Sequence, residues 1–540
     1  MFAEVLGLDQ VSIDDGFFEL GGDSIISLQV VSRAHKAGLT ITAKDVFQHK
    51  TPQALAAIAE PVNDRHVTHD DGQGDIPLTP IMRQLAERDG LTGPIHQAMT
   101  VWTPPAMSMD DLTATLQSVL DHHGALRMRL DRDTLWGRPP GEVRAADLLR
   151  RSDAATCDER ALSEHREAAV RHLDPESGVM LQADWFDAGS RAPGRLLIVA
   201  HHLAVDGVSW RILQEDLATA WDAITSGEVP VLPPVSTSFR TWARLLTEAA
   251  TARSTVEELP IWLATSASAR TSEPGPQRAA EPDALRMMLS VETTTAVLTT
   301  VPAAFHADVT EVLLTGMALA LADWRSDTAV LAALERHGRE AGLADGVDLS
   351  RTVGWFTSTH PVRPDLGEVA WEDVWSGGHG VAAAVKKVKE HLRALPNNGI
   401  GHGLLRHLNE TTAPALAELD EPFLLFNYLG RFAMTAGEPI PWTPVGEDRP
   451  AAVTLTHTVD VDAMTEDTPA GPRLVADWAW DPGRLAEEDV RHLGRTWFRA
   501  LEALVACAER GDAGGRTPSD LGLITLTQDD IDQLEMEWGQ

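Results

Sequence analysis

The spacing of apolar residues sets out the chain's elements before anything else is considered. From Ser24 to Ala37 they fall at Ile25, Leu28, Val31 and Ala34, the three-to-four spacing of an amphipathic helix, and Gly38 supplies the stop. Thr42 to Phe47 and Thr51 to Ala59 each open on a capping residue, the second with Pro52 at its first helical position. Met1 to Gly7 reads as a further helix, cut short by the start of the chain. Residues 1–60 are therefore expected to be a small all-α unit of four helices. Residues 61–76 are polar, glycine-containing and aperiodic, which predicts a linker. Beyond it, short β-branched runs alternate with helical stretches, an α/β pattern. A Ser-, Ala-, Pro- and Glu-rich interruption at 266–283 divides this body into lobes at 77–265 and 284–540. In the first lobe the apolar run Arg195 to Ala200 predicts a strand that delivers His201 and His202 to a loop. Gly207 turns that loop, and a helix follows with Trp210, Leu213, Leu217 and Trp221 on one face. The tail Leu526 to Met536 also has helical spacing.

With 540 residues, 43% hydrophobic and 23% charged, the chain can bury several cores. Asp plus Glu total 80 against 45 Lys plus Arg, a formal net charge of −35. Such a field repels a phosphate backbone or an anionic bilayer, so neither nucleic acid nor membrane is an expected partner. Two cysteines, Cys157 and Cys507, make no disulfide framework or zinc spacing, and a reducing cytoplasm suits them. Sixteen Trp and twelve Phe stand against a single tyrosine, Tyr428, so any site that needs a phenol must use it.

Two short segments invite chemistry on their own terms. In Gly21-Gly22-Asp23-Ser24 the glycines permit a tight turn, Asp23 caps the helix, and Ser24 stands where unpaired N–H groups favour an added phosphate. His202, at a strand end, is an acid/base candidate, because an imidazole exchanges protons near neutrality. His122-His123 forms a second doublet that reads as structural. No metal site is expected from His201, His202 and Asp206, since adjacent histidines rarely converge on one ion.

Phe17-Phe18-Glu19-Leu20-Gly21-Gly22-Asp23-Ser24 resembles the attachment motif of peptidyl carrier proteins of nonribosomal peptide synthetases, in the variant that precedes an epimerization domain. His201-His202-x-x-x-Asp206-Gly207 resembles the signature of the condensation-domain superfamily. Leu334 to Glu340, Arg351 to Thr357, Pro396 to Gly403 and Phe426 to Arg431 resemble the epimerization branch, in that family's order, over about residues 77–530. The resemblance implies a two-lobed, V-shaped α/β body like chloramphenicol acetyltransferase. Arg336 stands where the family has glycine, His402 replaces a tyrosine, and Arg431 replaces a common glutamine. Arg336 is expected to point away from Glu335, because a guanidinium turned inward would weaken that base.

What the resemblance implies is inversion at Cα of an aminoacyl or peptidyl thioester carried on a 4′-phosphopantetheine arm at Ser24, without a metal. Glu335 and His202 would exchange protons on opposite faces, and Asn427 and Tyr428 would donate to the enolate oxygen or to a proton-relaying water. His201, Asp206, Gly207, Trp210, Arg339 and Arg351 would support the loop. Which of Glu335 and His202 removes the L-face proton stays open. A phosphopantetheinyl transferase, an upstream adenylation domain and a downstream condensation domain are the implied partners, with the carrier docking on the epimerization domain. A condensing acyltransferase or a decayed docking module are the alternatives.

Overall fold

The computed structural model describes residues 1–8, 10–61, 70–93, 95–154, 158–266, 282–329, 331–344, 346–433, 439–445, 455–510, 514–521 and, in the tail, 527, 528, 530, 531 and 533. Cys157, residues 62–69 of the expected linker, most of the 266–283 connection and most of the tail lie outside them.

The N-terminal unit consists of α1 (Phe2–Leu6), α2 (Ser24–Lys36), α3 (Ala43–His49) and α4 (Pro52–Ile58). Asp23 caps α2, its Oδ1 accepting the N–H of Ile25 (2.9 Å) and of Ile26 (2.7 Å). The helix does not carry one apolar stripe, as its spacing suggests. Ile26, Val30, Val31 and Ala34 close the unit's own core with Phe2, Leu6, Phe17 and Val46. Leu28 is buried in the core of the next lobe, and Ile25 packs against it. One helix thus serves two cores.

That lobe begins earlier than residue 77. Gly74–Ile76 is a strand paired with Thr134–Gly137, and Asp70 accepts the hydroxyls of Ser238 and Thr241 (2.6 Å each). The end of the expected linker is therefore part of the folded body. The lobe's main sheet holds β1 (His96–Thr103), β2 (Leu149–Asp153), β3 (Leu181–Asp187) and β4 (Gly194–His201), in the order β1-β4-β3-β2. Leu196 to Ala200 of β4 are fully buried between layers, and α5 (Gly207–Thr225) packs on one side through Ile212, Leu213 and Leu217.

The second lobe is a six-stranded sheet of β5 (Asp283–Met288), β6 (Ala332–Arg336), β7 (Ser358–Val362), β8 (Leu424–Ala433), β9 (Val459–Thr468) and β10 (Gly471–Trp480), ordered β5-β10-β9-β8-β6-β7. The pairs β6/β8 and β8/β9 are parallel and the rest antiparallel. Against it lie α6 (Val309–Arg325), started by the reciprocal Asp308/Glu311 capping box, and α7 (Glu487–Arg510), acidic in its first turn. Trp478 and Trp497 meet edge to face in this core, with ring centroids 6.0 Å apart. The second lobe also reaches over the first: Trp442 N–H donates to the Trp102 carbonyl (2.7 Å) and Val445 N–H to that of Thr100 (2.8 Å), extending the first sheet at β1.

β6 carries Glu335 and Arg336 at its end, and Asn427 and Tyr428 lie inside β8. β8 is irregular between Tyr428 and Arg431, where Gly430 has φ +83°. A Cβ there would lie 3.1 Å from Asp23 Oδ2 and 3.2 Å from Ile25 Cδ1, so the glycine lets β8 meet the start of α2. Among the described residues no single helix is long and apolar enough to cross a membrane.

Candidate active site

On the first-lobe side, β4 ends at His201, which is buried and fully engaged. Its Nε2 meets the Gly93 carbonyl (3.1 Å) and its Nδ1 accepts the Leu203 N–H (3.3 Å). His202 opens the following turn, and its ring lies on Trp355, centroids 4.2 Å apart. Its Nε2 is 2.9 Å from Gln97 Nε2. Trp210 Nε1 donates to Gln97 Oε1 (2.8 Å), which turns the amide nitrogen toward the imidazole. His202 Nε2 therefore accepts, and the ring proton sits on Nδ1, on the side of the backbone of its own turn. Burial lowers the pKa of His202, while Asp206 opposes that shift.

Asp206 caps α5 and reaches across the lobes. It accepts the Ser209 N–H (2.7 Å) and pairs with Arg339 Nη2 at 3.0 Å, with both side chains buried. Arg339 also donates to the carbonyls of Leu349 (3.0 Å) and Thr352 (2.6 Å) and stacks on Phe356 (3.9 Å). Gly338, at φ +64°, makes this possible, since a Cβ there would run into the Phe356 carbonyl. A second lobe-to-lobe contact joins Arg351 to Asp216 and to Glu215 (2.9 Å), with His123 Nε2 on the other oxygen of Asp216 (2.8 Å). His122, His123 and Asp216 bring donor atoms within 4.8 Å of one another, the geometry of a metal cluster. The guanidinium on Asp216 and the Pro233 carbonyl on His122 Nε2 (2.8 Å) already employ them.

The second-lobe wall is a row of polar residues in register across neighbouring strands: Glu335 on β6, Asn427 on β8 and Asp462 on β9. Asn427 Nδ2 donates to Glu335 Oε1 (3.0 Å) and to Asp462 Oδ1 (2.9 Å). Burial, then the charges of Asp462, Asp460 and Asp206, push the Glu335 carboxyl up to about 8. Burial and Asp460 push Asp462 up to about 7. Asn427 Nδ2 thus gives both of its hydrogens to these two carboxyls. Tyr428 hydroxyl meets Thr465 Oγ1 at 3.0 Å, and burial and Asp23 raise its pKa. Arg336 follows Glu335 on the strand and, like it, is among the residues that line the cavity beside this wall. Its charge acts on His337, Glu340 and His360 and is absent from the groups that set Glu335.

A cavity of about 600 Å³ connects these groups to the N-terminal unit. It opens beside Ile25, Ile26 and Gln29 of α2, passes Arg211 and Tyr428, and reaches Glu335, Asn427 and Asp206. His202 is not among the residues that line it, whereas Glu335 is. Asp206 links them, since its charge acts on both. Sequence reasoning missed Gln97 and Asp462. Asp462 had a signal: Asp460 and Asp462 alternate with the buried Val459, Val461 and Ala463, which marks one polar face on a core strand.

Residues 73–440 match the family described as the Condensation domain, and residues 1–59 match the phosphopantetheine attachment site family. The chain belongs to the condensation-domain family, with a phosphopantetheine-carrying domain ahead of it. The body superposes on the epimerization domain from the third module of tyrocidine synthetase B with a TM-score of 0.67, at 26% identity, over 81% of this chain and 98% of that one. The first condensation domain of the calcium-dependent antibiotic synthetase shares the two-lobed fold (TM-score 0.58, 17% identity, 81% of this chain and 97% of that one). A linear gramicidin synthase protein of Brevibacillus parabrevis is 35% identical over 559 residues, which is 99% of this chain and 7% of that protein. This chain spans 7–10% of the length of the gramicidin synthase proteins it matches. The described residues fit a covalent pantetheine arm, because the cavity opens on the first turn of the helix that begins at Ser24.

Proposed function

We propose that the chain is a carrier and epimerase pair of a nonribosomal peptide synthetase, which inverts the Cα centre of an aminoacyl or peptidyl thioester held on Ser24. The carrier is taken as residues 1–60, and the epimerase lobes as 77–265 and 284–540. One observation carries the reading: the cavity beside the start of α2 is also lined by a half-buried carboxyl, Glu335, whose affinity for a proton is raised to about 8. A pantetheine arm at Ser24 supplies the thioester linkage that acidifies the neighbouring Cα–H. Glu335 in its ionised form removes a proton from Cα, and in its protonated form returns one, so a value near the working pH suits both directions. His202, held with its proton on Nδ1 by Gln97, is assigned the second acid/base role from the opposite lobe. Asp206, Gly207 and Arg339 hold the His202 turn, and Trp210 and His201 fix its two flanks.

A carrier and an epimerase need loading and unloading. An adenylation domain upstream, a condensation domain downstream and a phosphopantetheinyl transferase are the partners this reading requires. The test is isotope wash-in. In D₂O the loaded chain should gain one deuterium at Cα of its acyl group while the thioester stays intact. Amide formation without wash-in would instead make it a condensing acyltransferase.

A further inference from the structure

The Glu335–Asn427–Asp462 row continues across the sheet. Asp462 stands beside Asp477 on β10, and Asp477 beside Arg286 on β5. Arg286 pairs with Asp477 through Nε (2.6 Å) and Nη2 (3.0 Å) at the exposed sheet edge. Five strands therefore present one line of polar side chains, from the cavity floor to solvent. In its middle, a single amide nitrogen bridges two half-buried carboxyls, and among the described residues no cation pairs with either. An amide that turned over would set its carbonyl oxygen against both carboxyls. That orientation is unfavourable while either is ionised.

We infer that Asp462 is a positioning residue for Glu335: through Asn427 it fixes which way the amide faces, and it holds Oε1 of Glu335 in a hydrogen bond. Asp462 itself does not line the cavity and stands behind Asn427, away from any group placed on the reacting carbon. Oε2 makes no hydrogen bond among the described residues and is the oxygen left for proton transfer. The charge of Asp462 adds to burial in keeping the proton on Glu335, alongside Asp460 on the same strand and Asp206 across the cavity. His337 and Arg336 flank Glu335 on its own segment. His337 is held neutral by burial, and the charge of Arg336, which also lines the cavity, is not among those that set Glu335. The inference rests on the epimerization reading only for what Glu335 does, not for how it is held.

The test uses the full chain with Asp462→Asn and Asp462→Ala. Infrared difference spectra against Glu335→Gln isolate the Glu335 carboxyl band, whose titration is read with no substrate present. Asparagine can offer Asn427 a carbonyl acceptor without the charge, so Asp462→Asn should move the Glu335 midpoint down by about one pH unit and leave the band sharp. Alanine should also broaden the band, because the amide is no longer held. In the loaded chain, the pH profile of deuterium wash-in should shift down with Asp462→Asn, and the rate should fall about tenfold or more with Asp462→Ala. A Glu335 midpoint and band unchanged in both variants overturns the inference. If the midpoint moves but the wild type shows no wash-in, the positioning role stands and the epimerization reading fails.

Discussion

Asp206 and Arg339, 133 positions apart in the chain, form a buried ion pair that fastens the first lobe to the second beside the cavity. The same aspartate starts α5 and the same arginine gathers the 349–356 loop. The histidine loop and the Glu335 segment are thus set by one contact.

Removing one partner leaves the other charge buried without compensation. Asp206→Ala should cost about 3–5 kcal/mol, and Arg339→Met a similar amount. The double variant should lose clearly less than the sum of the two. Thermal melting of the three proteins checks this; additive losses would mean that the pair does not act as a unit.

Glu335 couples stability to pH. Its folded value of about 8 lies above the ordinary 4.5, so its protonated form is favoured by folding. The stability it contributes is complete below about pH 4.5 and declines as pH rises through about 8. Glu335→Gln should therefore flatten that part of the melting-temperature profile, while wash-in of label falls by about 10²–10⁴. A profile parallel to the wild type's would show an ordinary surface-like carboxyl.

His202→Ala should also silence wash-in, and combining it with Glu335→Gln should add little, because proton transfer has already failed. Gln97→Ala offers a finer reading. It frees His202 Nε2, so the imidazole nitrogen chemical shifts should report a change of tautomer without unfolding. Shifts matching the wild type would remove Gln97 from the site.

Incubation with coenzyme A and a broad-specificity phosphopantetheinyl transferase should add one arm to the wild type and none to Ser24→Ala, read by intact mass. An arm on the alanine variant would move the attachment point elsewhere.

Tyr428 is the sole tyrosine, so fluorotyrosine labelling gives one ¹⁹F resonance. Its hydroxyl pairs with Thr465, and the residue lines the cavity. Loading Ser24 with an aminoacyl arm should shift that resonance, and Thr465→Val should shift it with no arm present. A resonance that moves only in Thr465→Val would confine the hydroxyl to packing.

Much of this was legible in the sequence because it lies in local spacing. The four small helices, the strand leading to His201 and His202, and the helix after Gly207 follow from periodicity and caps over a dozen residues. The resemblance carried Glu335 and Arg339 as well. What escaped depends on strand order. Glu335, Asn427 and Asp462 become neighbours only because β6, β8 and β9 run parallel and in register, with partners 92 and 35 positions apart. No local pattern encodes that pairing, or the two carboxyls that the Asn427 amide meets. The α2 stripe misled for a related reason: Leu28 is buried by a partner from another domain, which periodicity cannot name.

The way α2 is shared has a kinetic meaning. The carrier meets the first lobe through Leu28 and Ile25, through the charges of Asp23 and Arg211, and through an exposed pair, Lys36 with Glu215 at 3.1 Å; it meets the second lobe at Gly430. Such exposed pairs hold with at most about 1 kcal/mol. One buried leucine and a few polar contacts make a small interface, and on one chain the tether keeps the carrier at an effective concentration of about millimolar. The carrier can then let go and return without waiting on diffusion.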